Sequence, residues 1–392
     1  MPLLSCLAVR VALVFPHCSR RGGVERIMWE AAAYLAPRHE VAVVAREVED
    51  LPEGATHVPV AATRSLGPLD PVAFRFAAAR ALGHCRADVT VAYGSECPPC
   101  DVYVVNSVHR AWLARSGPVA VHGRRLPPGS RYLMPRHAVG LAQERVFYGK
   151  ARHGYLVPAA AQVATDLASL YGLTDNPVTV IHNGFSPDEF SPERRHQLRA
   201  KARAELGYGP DDVVLLMVAN EWQRKGLAVV LSAIARLDDP SVRLLLVGLL
   251  TPQPFVDALG DPSVRDRVQY LGSSSDVGRQ HAAADLLVMP TEYEAFSLAI
   301  VEALASGVPV LTSSVPGAGD AIVDGVNGSR MRDPHDVEEL VGLLRHGMDP
   351  EVRAAWSRAA PGTVAEYRWD ALMGSLETVL EAVVRTKRAK GG

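Results

Sequence analysis

Two carboxylates eight positions apart, Glu294 and Glu302, stand in the run Glu294-Ala295-Phe296-Ser297-Leu298-Ala299-Ile300-Val301-Glu302. The second lies inside an apolar stretch, Leu298 to Ala305, that reads as a buried helix, where a carboxylate is costly unless something hydrogen-bonds it. Ahead of the pair come the apolar run Leu286-Leu287-Val288-Met289 and its stop, Pro290-Thr291, which predict strand, turn and helix in that order. In an open α/β sheet the loop at a strand's carboxyl end and the next helix N-terminus form the ligand crevice. Backbone amides around Phe296, Ser297 and Leu298 suit a diphosphate, and a ribose diol suits Glu302. A sugar nucleotide carries both groups.

Such a crevice needs sheets to hold it. Strand-like runs alternate with helical ones along all 392 residues. The first half offers Val9–Phe15, Val41–Ala45, Val89–Tyr93, Val102–Asn106 and Tyr155–Val157; the second offers Val213–Val218, Val242–Val247, Val268–Leu271, Leu286–Met289 and Val308–Thr312. These runs are mostly apolar and unalternating, which predicts parallel sheets covered on both faces. The turn-rich segment Asn183 to Pro192 reads as a hinge. The expected fold class is therefore α/β, with two Rossmann-like lobes facing a central cleft. The expected domains are 1–183, 184–368 and a terminal helix, 369–392, that ends in a basic tail.

The first lobe opens as strand, loop and helix, with Val24, Ile27, Met28, Ala31 and Leu35 on one helical face. Gly22-Gly23 lets the backbone turn close to a ligand, or simply makes a tight turn. The loop is not G-x-G-x-x-G, so a dinucleotide cofactor has little support. Five cysteines, among them Cys97-Pro98-Pro99-Cys100, form no second pair of metal-ligand spacing and read as reduced loop thiols. Met1 to Pro16 lacks the basic start of a signal peptide, and no run approaches the roughly 20 apolar residues of a membrane span. A net charge of −2 argues against nucleic acid as a partner. The expected location is the cytoplasm.

Taken together, these segments resemble the retaining GT-B glycosyltransferases of family four over nearly the whole chain. The strongest likeness runs from Ala284-Asp285 through Pro290 and Glu294-Ala295-Phe296-Ser297 to Glu302-Ala303-Leu304-Ala305-Ser306-Gly307-Val308-Pro309-Val310. Gly22-Gly23-Val24-Glu25 resembles the acceptor-side loop, Val180 to Gly184 the interdomain signature, Arg224-Lys225-Gly226 the phosphate-binding turn, and Trp369-Asp370 the start of the returning helix. Asn106-Ser107-Val108-His109-Arg110 is similar to a strand end that carries a cleft-facing histidine. The resemblance implies metal-independent, retaining transfer from a nucleoside diphosphate sugar to a hydroxyl acceptor that is a sugar, lipid-linked or a small molecule. It implies no cofactor beyond the donor substrate. It places Glu302 on the ribose, Glu294 with the Phe296, Ser297 and Leu298 backbone by the donor sugar, Arg224 and Lys225 on the diphosphate, and His109 near sugar and acceptor. Three positions depart from the family pattern: Ala219 stands where relatives often carry arginine, Ser297 where they often carry glycine, and Pro158-Ala159 where they carry serine.

No Asp-x-Asp occurs to hold a metal, so charge on a departing diphosphate would fall to Lys225, Arg224 and the helix end. Retention without an obvious nucleophile favours front-face attack, with a donor phosphate oxygen taking the acceptor's proton. Plainer readings stand beside these. Glu302 pairs with an arginine; Glu294 caps the helix at Ser297; Arg224-Lys225 is a solvated helix start; His109 is a core histidine; Trp112 packs rather than stacks on sugar. Residues 110 to 152 carry nine Arg and Lys against one acid, Glu144, with Arg124, Arg125, Arg131 and Arg136 in a loop. That stretch is either a site of peripheral contact with anionic membrane at its inner face or a solvated surface. Two competing functions are a sugar-nucleotide epimerase and a non-catalytic partner subunit.

Overall fold

The computed structural model describes residues 8–61, 67–115, 120–121, 124–125, 132, 134–151, 154–274, 276–315, 317 and 319–391. By contact the chain divides into two compact units, residues 1–183 with 369–392, and residues 184–368.

In the first unit the Val-rich runs become inner strands of a parallel sheet, because a strand covered on both faces has no polar side to present. Its strands are β1 (Arg10–Val14), β2 (Glu40–Ala45), β3 (Ala55–Pro59), β4 (Val89–Ala92), β5 (Val102–Val105) and β6 (Tyr155–Pro158). They lie in the order β3-β2-β1-β4-β5-β6, every pair parallel. The second unit repeats the scheme with β7 (Val213–Val218), β8 (Val242–Val247), β9 (Val268–Tyr270), β10 (Leu286–Met289), β11 (Val310–Ser313) and β12 (Gly328–Met331). Their order is β9-β8-β7-β10-β11-β12, again parallel throughout. Each sheet starts at its middle, grows to one side and then reverses. The loops after its first and fourth strands therefore diverge at a switch point, where such sheets bind ligands.

Two strands of these six-stranded sheets were not expected from sequence. β3 has no fully buried residue, only half-buried and exposed ones, and β12 is Gly-Ser-Arg-Met, a segment without an apolar run. Both lie at sheet edges, where one side of the strand is unpaired and the demand for apolar residues is relaxed. The helix after β1 spans Val24–Leu35 and buries Ile27, Met28, Ala31 and Leu35, the expected face, while Val24 at its start is half-buried.

The last helix, Trp369–Gly391, belongs to the first unit and packs on Val24–Leu35. Glu377 accepts hydrogen bonds from Arg38 and His39, each at 2.9 Å, and Lys387 reaches Asp101 at 2.9 Å. In the second unit the Phe185 N–H donates to the Tyr367 carbonyl at 2.9 Å, so the segments leading into and out of that unit run side by side. Among the described residues no helix is long and apolar enough to cross a membrane.

Candidate functional site

The two loops at the switch point of the second unit, with the helix that follows the second loop, carry most of the residues singled out by sequence. After β7, residues 219 to 226 make a tight turn: the Lys225 N–H bonds to the Glu221 carbonyl at 3.1 Å and the Leu227 N–H to the Trp222 carbonyl at 3.0 Å. Trp222, 2% exposed, anchors the turn from below. Gly226 ends it at φ +81°, and a Cβ there would sit 2.3 Å from the Pro290 carbonyl oxygen. The absence of a side chain thus lets the loop after β7 lie directly on the loop after β10.

That second loop is tied down by its own hydroxyls. Thr291 Oγ1 donates to the carbonyls of Arg224 (3.2 Å) and Tyr293 (2.9 Å), and Ser313 Oγ donates to the Thr291 carbonyl at 2.5 Å. The Glu292 N–H reaches the Arg224 carbonyl at 2.9 Å. From the other side Gly317, at φ +87°, presses so close that a Cβ would meet the Ala295 and Glu294 carbonyl oxygens at 2.1 and 2.3 Å. Thr291, Ser313 and Gly317 were not identified from sequence. The available signal was a run of hydroxyls and glycines just after two buried strands.

Here the structure brings Arg224, Lys225 and Glu294 together. Lys225 Nζ donates to Glu294 Oε2 in a direct ion pair, and Arg224 Nη1 lies 3.9 Å from the same oxygen. Arg224 also donates from Nη1 to the Tyr293 carbonyl and from Nε to Glu221, each at 2.6 Å. The Lys225 and Glu294 side chains are 10% and 13% exposed, which rules out a solvated helix start. Burial pushes the Glu294 carboxyl up, but Lys225 and Arg224 outweigh it and hold the group below its ordinary value. Burial pulls the Lys225 ammonium below its ordinary value, against the attraction of Glu294. Glu294 is thus committed to the cations rather than to capping the next helix.

That helix, Leu298–Ala305, starts at Ser297 without a side-chain cap. Its first-turn amides have no acceptor within the helix, so it begins as a concentration of N–H dipoles. Phe296, 4% exposed, packs edge-on against Tyr367 at 5.3 Å, and Ser297 is 6% exposed. Glu302 sits one turn further in at 6% exposure, on a helix whose residues from Ala299 to Ala305 are all buried. Ala219, 7% exposed, directly follows β7, with its N–H on the Val247 carbonyl at 2.9 Å.

His109, Gly22 and Gly23 belong to the first unit. Gly22, at φ +95°, and Gly23 lie in the loop after β1, and the Gly23 N–H donates to Glu25 at 3.1 Å. His109 begins the helix His109–Arg115 after β5. Its Nε2 is 3.2 Å from His137 Nδ1, and its ring packs against those of Trp112 and His137 with centroids 5.1 and 5.2 Å away. His109 remains half-buried, neither a sealed core residue nor an isolated one. Glu144, 1% exposed, caps this helix from outside, accepting the His109 N–H at 2.6 Å, the Arg110 N–H at 2.9 Å and the Tyr171 hydroxyl at 2.5 Å. The one acid in a basic stretch is therefore structural.

Cys97 and Cys100 are free thiols, and burial pushes Cys97 well up and Cys100 up to about 12, so neither is a ready nucleophile. Among the described residues no group of three or more His, Cys, Asp or Glu is arranged to hold a metal ion. Arg131 lies outside the described residues; Arg124–Arg125 pairs antiparallel with Ala120–Val121, and Arg136 is exposed.

Comparison with known proteins bears on the family and the fold. Residues 21–189 match the family described as Glycosyltransferase Family 4, and residues 199–362 match Glycosyl transferases group 1. The D-inositol 3-phosphate glycosyltransferase of Mycolicibacterium smegmatis is 33% identical over 224 residues, covering 54% of this chain and 50% of that protein. A protein of the same name from Mycobacterium sp. (strain KMS) is 35% identical over 209 residues, 50% of this chain and 46% of its own length. The chain thus spans about half the length of the curated relatives it matches. Among solved structures, WaaG, a glycosyltransferase involved in lipopolysaccharide biosynthesis, superposes with a TM-score of 0.82 at 24% identity, covering 94% of this chain and 99% of that one. HepE of Anabaena, solved with UDP and glucose, superposes with a TM-score of 0.72 at 19% identity over 95% of this chain and 100% of its own.

Proposed function

Because the chain belongs to the family-four and group-one glycosyltransferases of GT-B fold, we propose that it moves a sugar from a nucleoside diphosphate donor to a hydroxyl acceptor, with retention and without a metal ion. The observation that carries this reading is the convergence of Lys225, Arg224 and Glu294 beside the uncapped helix start at Ser297, at the switch point of one sheet. As the C1–O bond breaks, negative charge gathers on the leaving diphosphate. Two cations and a helix end stabilise such charge more as it grows than in the ground state. Glu302 takes the ribose hydroxyls, the Phe296, Ser297 and Leu298 backbone approaches the donor, and Gly22, Gly23 and His109 serve the acceptor side.

Glu294 engaged by two cations is poorly disposed to act as a nucleophile, which supports front-face attack. In that path the acceptor hydroxyl adds to C1 on the face the diphosphate leaves, and a donor phosphate oxygen takes its proton. A covalent sugar on Glu294, trapped and seen by intact mass, would contradict it.

A thermal-shift panel of UDP-, GDP-, ADP- and TDP-sugars tests the donor site, since ligand linkage raises stability. One donor class should stabilise the protein, and Lys225→Ala should weaken the shift. Silence from all four would defeat the proposal. Transfer should persist in excess EDTA; its abolition would overturn metal independence. The basic stretch between 110 and 152 is proposed as a peripheral contact with anionic membrane from the cytoplasmic side, and absence of flotation with anionic liposomes at low salt would remove it.

A further inference from the structure

The first unit contains a concavity of its own. Helices Asp70–His84 and Pro135–Lys150 leave between them, beside the loop that follows β4, a cavity of about 430 Å³. Its walls are apolar, with Val72, Phe76, Val139, Ala142, Val146 and Phe147 facing the space. A helix packed only for stability would bury such residues, yet Phe76 is 71% exposed, Val146 49% and Leu69, also on the wall, 57%. Exposed apolar residues scattered singly need no explanation; a cluster around a hollow does. The volume falls within the roughly 300–1,000 Å³ of small-molecule sites.

A second, independent observation concerns polar atoms. Gln143, on the same wall, is 7% exposed, and its Nε2 is buried with no acceptor. Arg75 Nε is likewise buried with no acceptor, although its Nη2 donates to the Ser95 and Gln143 carbonyls. Native interiors rarely leave such donors unmet, because each forfeits its bonds to water. Both unmatched groups are donors, and Lys150 adds positive charge to the lining, so an oxygen, carbonyl or carboxylate, would answer them.

We propose that this cavity binds the aliphatic chain of a fatty-acyl ligand whose acyl oxygen accepts from Gln143 Nε2 and Arg75 Nε. Resting on the transferase reading above, the ligand is the tail of the acceptor. The helix Pro135–Lys150 supports this: it carries His137, which contacts His109, and then Gln143 six residues on, about 9 Å along the axis at 1.5 Å per residue. One rigid element thus links the chain-binding wall to the acceptor-side histidine.

Isothermal titration of the full chain with dodecanoate, kept below its micelle concentration, tests the proposal. Saturable binding is expected. Ala142→Trp, which fills the cavity from an exposed helix position, and Val146→Asp, which sets a negative charge at its mouth, should each weaken it about tenfold or more. Gln143→Leu should weaken it by about tenfold through the lost hydrogen bond. No binding, or binding unchanged in both cavity variants, overturns the site; association with phosphatidylglycerol vesicles but not with monomeric dodecanoate overturns it too, in favour of a membrane-facing surface. The nucleotide-sugar thermal shift should be the same in all three variants, so failure of the donor reading and failure of the cavity reading show up separately.

Discussion

Replacing Lys225 by methionine removes one of the two cations at Glu294 while keeping most of the buried volume. Arg224 Nη1 remains 3.9 Å from Glu294 Oε2, and at an effective dielectric of about 20 that pair is worth about 4 kcal/mol. The carboxylate therefore still has a counter-charge, and the fold should survive. Breaking a buried pair outright costs roughly 3–5 kcal/mol, an upper figure here because Arg224 stays. What the variant loses is charge stabilisation for the leaving diphosphate. Loss of a single preorganised donor at a developing charge costs about 2.7–4 kcal/mol, a hundredfold to thousandfold in rate. Initial rates at saturating donor should accordingly show kcat lower by about 10²–10³, with unfolding curves confirming a folded population. A loss below about tenfold in a folded variant would refute the idea that this lysine bears the leaving-group charge.

Other consequences follow from the packing. His281, buried beside the Val277 carbonyl at 2.9 Å, is lowered to about 4 by burial. Between that value and its ordinary 6.5 the unfolded chain binds a proton that the native one excludes, so stability should fall by about 3 kcal/mol as pH drops through this window. Thermal unfolding of His281→Gln across the same range should lack that component. Glu144→Leu strands the His109 and Arg110 amides and the Tyr171 hydroxyl, and should cost about 2–4 kcal/mol in chemical denaturation. Gly226→Ala pairs a left-handed backbone with a Cβ contact of 2.3 Å to Pro290, so the loops after β7 and β10 must separate. It should destabilise by about 1–3 kcal/mol and diminish any nucleotide-sugar thermal shift.

The pattern of inner strands could be read directly because covering both faces of a sheet demands uninterrupted apolar residues. The edge strands Ala55–Pro59 and Gly328–Met331 escaped, since an edge tolerates polar and small residues and leaves no periodic trace. The site divides in the same way. Glu294, Glu302, Arg224 and Lys225 were visible because a carboxylate in an apolar helix, and a lysine in a chain with few of them, conflict with local preference unless a ligand or partner answers them. Glu144 gave the opposite lesson: in sequence it stood out only as the one acid in a basic stretch, and it is a buried cap for a helix begun 35 residues earlier.

Sequence alone determined that two parallel α/β sheets form, which loops follow their central strands, and which side chains there carry charge, since these depend on local composition and period. Tertiary structure decided that Lys225 and Arg224 meet Glu294 on one oxygen, although 69 residues separate Lys225 from Glu294. It also decided that Gly226 and Gly317 clear space for the loops around that contact, and that Gln143 faces an apolar hollow without an acceptor. Those outcomes depend on strand order: the reversal between β7 and β10 brings distant loops within ångströms, and nothing in either loop's own residues encodes the other's position.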